Sequence, residues 1–259
     1  MTQVPELSAA LDGTPLGPYS LRLADVQPGS KSGWTSFRLL LAVGKHTFVP
    51  PVIEAVFSRG GRGAFPWLEI TEYHSNVTAA RDRSIEANLA AAGLDRFLFR
   101  HLSGLLPPGG HIMLACEAPQ HETSYRLLMR RVPPVLTTLG TLLFDSGFRS
   151  VRFFYLAEGG WEGQQKLWAE KPINEVTARR WDEQTARDIL RFLAEPAHAS
   201  FGEVCVTPAL MVLGAIQPGK LKPQVEAVLR ECAGSGRQRP QAFFSCVQRL
   251  RQRFADQWP

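Results

Sequence analysis

The alternation of apolar and polar residues divides the chain into a strand-rich beginning, a mixed middle and a helical end. Residues 1–18 predict a loose lead-in. The runs Tyr19–Val26 and Trp34–Val43 predict an antiparallel hairpin, because a polar turn separates two strand-like segments. Pro50-Pro51 then opens the apolar-periodic segment Val52–Phe57. This segment predicts a short helix, since proline favours a helix start and glycine follows its end.

Strand and helix patterns alternate between residues 67 and 170. The predicted strands are Trp67–Thr71, His111–Cys116, Ser150–Leu156 and Gln165–Ala169, and the predicted helices are Thr78–Ala92, Asp95–Leu105, Gln120–Arg131 and a segment ending at Asp145. This alternation is typical of a parallel sheet with right-handed crossovers. A hairpin-length loop precedes the last strand, so that strand should run antiparallel. We therefore expect an α/β domain over residues 19–171, with a mixed, mainly parallel sheet and helices on both faces.

A helical C-terminal segment is expected from residue 172 to 259. Its helices are predicted at about 175–194, 203–214, 223–232 and 241–257. The last carries a stripe of apolar residues that indicates core contact. Residues 218–259 hold eight Lys or Arg and three acids, which accounts for the whole net charge of +5. This basic stretch is a weak pointer to a polyanionic partner, and a solvated helix face is the favoured alternative.

Composition excludes several protein classes. Of the 259 residues 44% are hydrophobic and 20% charged, which are globular values and not those of a disordered chain. No apolar run reaches ~18 residues, so no membrane-spanning helix is expected. The beginning of the chain lacks a basic region followed by an apolar one, so no signal peptide is expected. The four cysteines form no C-x-x-C pair, which indicates reduced thiols in a cytoplasmic protein.

A candidate site follows from the strand exits. Ligands of open α/β sheets lie beyond the carboxyl ends of the parallel strands, and three predicted strands end in polar residues. Grouped acids and histidines suit general acid or base chemistry, and a Gly-Gly-Trp loop can approach and stack on a ligand. We therefore expect catalytic residues at Glu72, His74, Glu117 and His121, and cofactor-binding residues at Glu158, Gly159, Gly160 and Trp161. The alternative for each residue taken singly is a solvated loop position.

Other chemistries receive less support from the sequence. His74, Glu117 and His121 would form a two-histidine, one-carboxylate metal set, but their spacing is not diagnostic and no metal is predicted. Neither a Gly-x-Ser-x-Gly nucleophile elbow nor a Walker-type phosphate loop is present.

The segment Leu105–Leu114 resembles class I S-adenosylmethionine-dependent methyltransferases, in which an L-K-P-G-G turn precedes the fifth strand. Ser146-Gly147-Phe148 is similar to the end of the family's last helix. Val151–Tyr155 and Gln165–Lys171 look like its sixth strand and its antiparallel seventh strand. The resemblance implies a methyltransferase-like group transferase with S-adenosylmethionine as cofactor. The segment Leu23–Gly33 stands where that family has a glycine-rich turn, and it lacks the dense glycine spacing.

Two further resemblances leave alternatives open. An antiparallel meander followed by strand-helix-strand-helix-strand-strand is similar to N-acetyltransferase-like (GNAT) proteins, and Gly147-Phe148 suits them too. That resemblance implies an acyltransferase using acetyl-coenzyme A, although Ser75–Ala80 lacks the glycines of its pyrophosphate loop. Pro66–Ile70, the Pro107–Gly110 turn and the Glu158–Gly163 loop resemble an uncharacterised domain-of-unknown-function family of archaeal and bacterial proteins, which implies no activity. A non-catalytic interaction module that binds neither cofactor is the third hypothesis.

Overall fold

The structure is a computed structural model that describes residues 4–16, 19–47, 51–60, 65–73, 94–115, 132–155, 165–193 and 212–213. Strands dominate the first half of the chain, and helices follow. The strands are β1 Pro15–Leu16, β2 Tyr19–Pro28, β3 Trp34–Val43, β4 His46–Thr47, β5 Ile53–Ser58, β6 Trp67–Tyr73, β7 His111–Ala115, β8 Arg149–Tyr155 and β9 Gln165–Glu170. The helices are α1 Val4–Leu11, α2 Leu94–Gly104, α3 Thr138–Asp145 and α4 Glu175–Leu193, with a 3-10 turn at Pro134–Leu136.

These strands form one sheet in the order β1-β2-β3-β5-β6-β7-β9-β8, with β4 paired to β3. Among the described pairs, β6 and β7 alone are parallel, and the others are antiparallel. The prediction of a mainly parallel sheet is therefore wrong. Two features of the pairing explain the error: the strands that precede β6 form an antiparallel meander, and β9 returns between β7 and β8.

Two local predictions in the first sixty residues are also wrong. The segment expected as a short helix, Val52–Phe57, is strand β5, and its buried residues Ile53, Ala55 and Phe57 follow the two-residue period of a strand. The segment expected as a loose lead-in contains helix α1, whose Leu7 and Leu11 are fully buried. The predicted hairpin is confirmed, since β2 pairs with β3 antiparallel.

Most other described elements agree with the sequence pattern. Helices α2, α3 and α4 lie where helices were expected, and β9 is antiparallel to β8 as expected. The expected helices at 78–92, 120–131, 223–232 and 241–257 lie outside the described residues, as does the basic stretch 218–259. Of the expected helix 203–214, residues 212 and 213 are described, and both are helical. The boundary between residues 171 and 172 stays a prediction.

One face of the sheet carries the hydrophobic core. Alternate residues of every long strand point to it, as Phe37, Leu39 and Leu41 do in β3, and helices α1, α2 and α3 cover it. The most deeply buried members of this cluster are Leu7, Leu11, Leu21, Leu39, Ile53, Leu68, Ile70, Phe99, Leu102, Ile112, Leu114, Leu143, Phe148 and Ala169. We call the opposite face the polar face, because charged, polar and aromatic side chains alternate with the core residues there.

Specific polar contacts fix the helices that cover the core. The Thr137 hydroxyl accepts a hydrogen bond from the Gly140 N–H at 3.0 Å and so caps the start of α3. Gly147 ends the same helix with a φ of 93°, as its position in the sequence predicts. The Lys171 ammonium donates to the carbonyls of Ser103 (2.9 Å) and Leu106 (2.6 Å), which ties the end of α2 to the sheet. Burial lowers the pKa of Lys171.

Within the described part of the chain, no helix is both long enough and apolar enough to cross a bilayer.

Candidate functional site

Of the eight residues predicted for the site, the structure describes one, Glu72. Glu72 is the last residue but one of strand β6 and is exposed. It stands opposite Glu54 of β5 on the polar face. The other predicted residues, His74, Glu117, His121, Glu158, Gly159, Gly160 and Trp161, lie outside the described residues. Their grouping therefore stays a prediction. Among the residues that the structure does describe, no set of three or more metal-binding side chains is present.

The directions of the strands determine where the predicted exits lie. β6 and β7 run the same way, and β9 is antiparallel to both β7 and β8. Because β7 and β8 are both antiparallel to β9, β8 runs in the same direction as β6 and β7. The carboxyl ends of all three strands therefore point to one edge of the sheet. β9 nevertheless separates β7 from β8, which the sequence analysis did not expect.

The described pairing of β6 with β7 ends before strand β6 does. The pairing between β6 and β7 begins at Trp67 and His111 and ends at Ile70 and Leu114, although β6 continues to Tyr73. At the same level, the pairing between β5 and β6 shifts by one residue, because Glu54 pairs with Glu72 while the next residue, Ala55, pairs with Ile70. Thr71 is the extra residue of this bulge. A bulge bends its strand and interrupts regular pairing, so it re-aims the side chains at the carboxyl end of β6.

A polar cavity of about 360 Å³ lies on the polar face beside this bulge. Arg38 of β3 forms ion pairs with Glu54 (Nε–Oε1, 2.9 Å) and Asp25 (Nη1–Oδ2, 3.1 Å). The Glu54 carboxylate, followed by that of Asp25, raises the pKa of Arg38. The Thr71 hydroxyl donates to the Glu54 carbonyl at 3.1 Å. Two carboxylates, those of Asp25 and Glu54, therefore contact one guanidinium, and Glu72 stands opposite Glu54 on the neighbouring strand.

Sequence reasoning missed an ion pair in the middle of the polar face. Glu69 of β6 and Lys166 of β9 reach each other across β7, and their side chains are 21% and 10% exposed. The two residues are 97 positions apart in the sequence. Only the insertion of β9 beside β7 brings them together, so no local pattern could have indicated the pair.

An aromatic layer closes the other end of the polar face. The His111 ring lies between the rings of Trp67 (5.7 Å between centroids) and Trp168 (5.2 Å), and Phe65 meets its edge at 5.0 Å. Burial lowers the pKa of His111, against a smaller opposing effect of Glu170. His111 lies at the amino end of β7, whereas the bulge lies at the carboxyl end of β6. The aromatic layer therefore lies at the sheet edge opposite the bulge.

Comparisons with known proteins give a family and a fold, and they give no activity. A family model with the description "Protein of unknown function (DUF1122)" matches residues 17–196. A solved structure, that of the protein of unknown function AQ1966 from Aquifex aeolicus VF5, is similar with a TM-score of 0.56 and 24% sequence identity. The similarity covers 77% of this chain and 97% of that one, and at this identity it concerns the fold alone. No curated protein matches the chain.

Proposed function

Because the chain belongs to the DUF1122 family, whose description assigns no activity, we propose a function from the geometry of the sheet: transfer of an acyl group from acyl-coenzyme A to an amine. The strand order carries the proposal. An antiparallel meander leads into one parallel pair, β6 and β7, and an antiparallel β9 then lies between β7 and β8. This arrangement fits the N-acetyltransferase-like alternative. The methyltransferase alternative requires a mainly parallel sheet, which the strand pairing does not have.

The carboxyl end of the parallel pair β6 and β7 supports a thioester donor. The pantetheine arm of coenzyme A is narrow and extended and carries two amide groups. Such a chain can lie beside a strand and pair with its backbone, as peptides do at strand edges. The described ladder between β6 and β7 ends at Ile70 and Leu114, at the edge where ligands of such sheets bind. The diphosphate end of the donor would be held after β6, by residues outside the described part.

The polar cavity beside the bulge supports an amine acceptor. The two carboxylates of Asp25 and Glu54 share the single guanidinium of Arg38 there, so one negative charge remains and favours a cationic ligand. An amine must lose a proton as its nitrogen bonds to the acyl carbon, and a carboxylate can accept that proton. Glu72 is exposed and lies at the carboxyl end of β6, where the donor is proposed to bind. We assign it the role of proton acceptor.

Titration calorimetry with acetyl-coenzyme A and, separately, with S-adenosylmethionine tests the donor. We expect binding of acetyl-coenzyme A alone. Binding of S-adenosylmethionine alone would support the methyltransferase alternative instead, and binding of neither would support a non-catalytic interaction module. Release of the coenzyme A thiol, followed with a thiol reagent over a set of primary amines and polyamines, then identifies the acceptor.

The variant Glu72→Gln tests the proton acceptor. It keeps the shape of the side chain and removes its basicity, so we expect turnover to fall by roughly 10²-fold or more. Affinity for acetyl-coenzyme A and the melting temperature should stay unchanged. Glu175→Gln, an exposed acid at the start of α4, is the matched control. Full turnover in Glu72→Gln would remove Glu72 from the reaction while leaving the donor assignment open to its own titration.

A further inference from the structure

A second cavity, of about 580 Å³, lies at the opposite side of the sheet. Its walls are strand β8, the 3-10 turn Pro134–Leu136 and helix α4. Among the described strands β8 is the last in the sheet order, so the cavity lies along a sheet edge. A volume of this size falls within the range of about 300–1,000 Å³ that is typical of small-molecule sites.

Apolar side chains form the walls of this cavity. Val135 and Phe192 are buried, and Phe153 and Trp181 are half-buried. Three aromatic rings and an aliphatic wall suit a flat or extended apolar body, since such contacts remove apolar surface from water. An apolar lining with a few polar groups is the usual composition of a ligand site.

The rim of the cavity carries an excess of positive charge. Arg152 has no carboxylate within ion-pair distance among the described residues, and its guanidinium lies 5.8 Å from the centroid of the Trp168 ring. Arg191 is 74% exposed and lies 4.0 Å from Asp188, at the limit of an ion pair. The Asp188 carboxylate already accepts a hydrogen bond from Gln184 at 2.9 Å. The charged residues that line the cavity are therefore two arginines and one acid, and that acid already accepts a hydrogen bond.

The strand that lines the cavity is strained at one residue. Ser150 has a φ of 54°, and the pairing of β8 with β9 is irregular between Arg149 and Arg152. A non-glycine residue in this region persists only where its surroundings hold it, and such residues concentrate at ligand sites. Here Arg149, the first residue of β8, donates through Nη1 to the carbonyls of Phe144 (3.0 Å) and Phe148 (2.7 Å) and so ties the start of the strand to the end of α3.

We propose that this cavity is a binding site for a small organic carboxylate. The apolar body of the ligand packs between Phe153 and Trp181, and its carboxylate pairs with Arg152 and Arg191. β8 lies three strand positions from β6 in the sheet order, or about 14 Å at ~4.8 Å per strand. The site is therefore distinct from the proposed donor site at the carboxyl end of β6 and β7, and it does not depend on the acyltransferase proposal.

Titration of the full chain with 4-phenylbutyrate, and with its neutral amide as a matched probe, tests the site. We expect the carboxylate to bind at least tenfold more tightly than the amide, and to lose affinity as ionic strength rises. This comparison uses the wild-type chain, so it does not depend on the folding of any variant. Absence of 4-phenylbutyrate binding, or equal affinity for acid and amide, would overturn the proposal.

Variants then locate the bound probe. Arg152→Gln and Arg191→Gln should each weaken 4-phenylbutyrate binding severalfold, whereas Arg179→Gln, an exposed arginine of α4 that does not line the cavity, should not change it. Thr185→Trp projects a large ring into the cavity and should abolish binding while amide circular dichroism remains that of the wild type. If 4-phenylbutyrate binds equally to all four variants, it binds elsewhere on the chain and the assignment of this cavity is wrong.

Discussion

The buried ion pair between Arg149 and Asp182 leads to a prediction about which partner the fold can lose. Arg149 Nε and Asp182 Oδ1 are 2.6 Å apart, and the side chains are 19% and 17% exposed. Arg149 also donates to two backbone carbonyls and lies 4.1 Å from the centroid of the Phe144 ring. Because Arg149 has these further contacts and Asp182 is held chiefly by Arg149, we predict that removing the arginine is much more costly than neutralising the aspartate.

Burial disfavours the charged forms of both partners. Burial raises the pKa of Asp182 above 3.8, in spite of the opposing effect of Arg149, so ionisation of this carboxyl is already unfavourable in the native state. Burial likewise lowers the pKa of Arg149, against the effect of Asp182. Asp182→Asn mimics the protonated acid, and we expect it to lower the free energy of unfolding by less than ~1 kcal/mol, the usual net value of one hydrogen bond.

Arg149→Met leaves the carboxyl without a cation. Its cost is bounded by the cost of protonating Asp182 at pH 7, since a protonated acid avoids the buried charge. From a usual pKa of 3.8 that is about 3.2 pH units, or about 4.4 kcal/mol. We therefore expect a loss of ~3–4 kcal/mol, in line with broken buried pairs, and a melting temperature lower by about 6–16 °C. Arg149→Met with Asp182→Leu should restore much of this loss, because no unpaired charge remains.

Urea unfolding of the single and double variants measures these differences, with Glu175→Gln as an exposed control in the same helix. Acidification gives a second readout. A raised native pKa means that, between 3.8 and the raised value, the native state binds a proton that the unfolded state does not, so stability rises as pH falls through that window. In Arg149→Met burial raises the Asp182 pKa without the opposing arginine, so this variant should regain stability relative to the wild type as the pH falls from 7 towards 3.8. Equal losses in Asp182→Asn and Arg149→Met would refute the asymmetry.

Three other predictions concern the core and the polar face. Because the pKa of His111 is lowered, the unfolded state binds more protons than the native state below pH 6.5, and the melting temperature should fall on acidification below that value. His111→Phe should remove this loss of stability. The exposed control His101→Gln should not remove it. Leu11→Ala should cost ~2–5 kcal/mol in urea unfolding, and a loss under ~1 kcal/mol would show that α1 is dispensable. Glu69→Gln leaves the buried Lys166 without its carboxylate, so we expect a loss of about 2–4 kcal/mol, and an unchanged melting temperature would contradict a structural ion pair.

Local structure could be predicted from the sequence wherever a segment was long and strongly periodic. Helix α4 and the β2–β3 hairpin are examples, and Gly147 marked the end of α3 correctly. The segment Val52–Phe57 failed for a physical reason: six apolar-rich residues are too few to separate a period of 3.6 from a period of 2. In α1 a signal was present, because Leu7 and Leu11 have helical spacing and Glu6 lies in the first turn.

Strand neighbours could not be predicted in the same way. The alternation of strands with helices was interpreted as a parallel sheet, yet alternation along the chain does not state which strands lie side by side. The position of β9 between β7 and β8 depends on contacts between residues far apart in sequence, such as Lys166 and Glu69. The bulge at Thr71 was missed for a related reason, because a one-residue shift is a property of two paired strands and leaves no mark in either alone.

Whether the three strand ends share one edge of the sheet depends on the directions of the strands and not on which strands are neighbours. An antiparallel strand inserted between β7 and β8 leaves β8 pointing the same way as β6, so the expectation of a shared edge for the three exits stands as a prediction. The insertion does change the distance between them. The carboxyl end of β8 lies three strand spacings from β6, about 14 Å at ~4.8 Å each. A thioester donor is long enough to bridge that separation, whereas a compact ligand is not. If residues 158–161 and Glu72 serve one site, as the sequence predicts, we therefore expect its ligand to be extended.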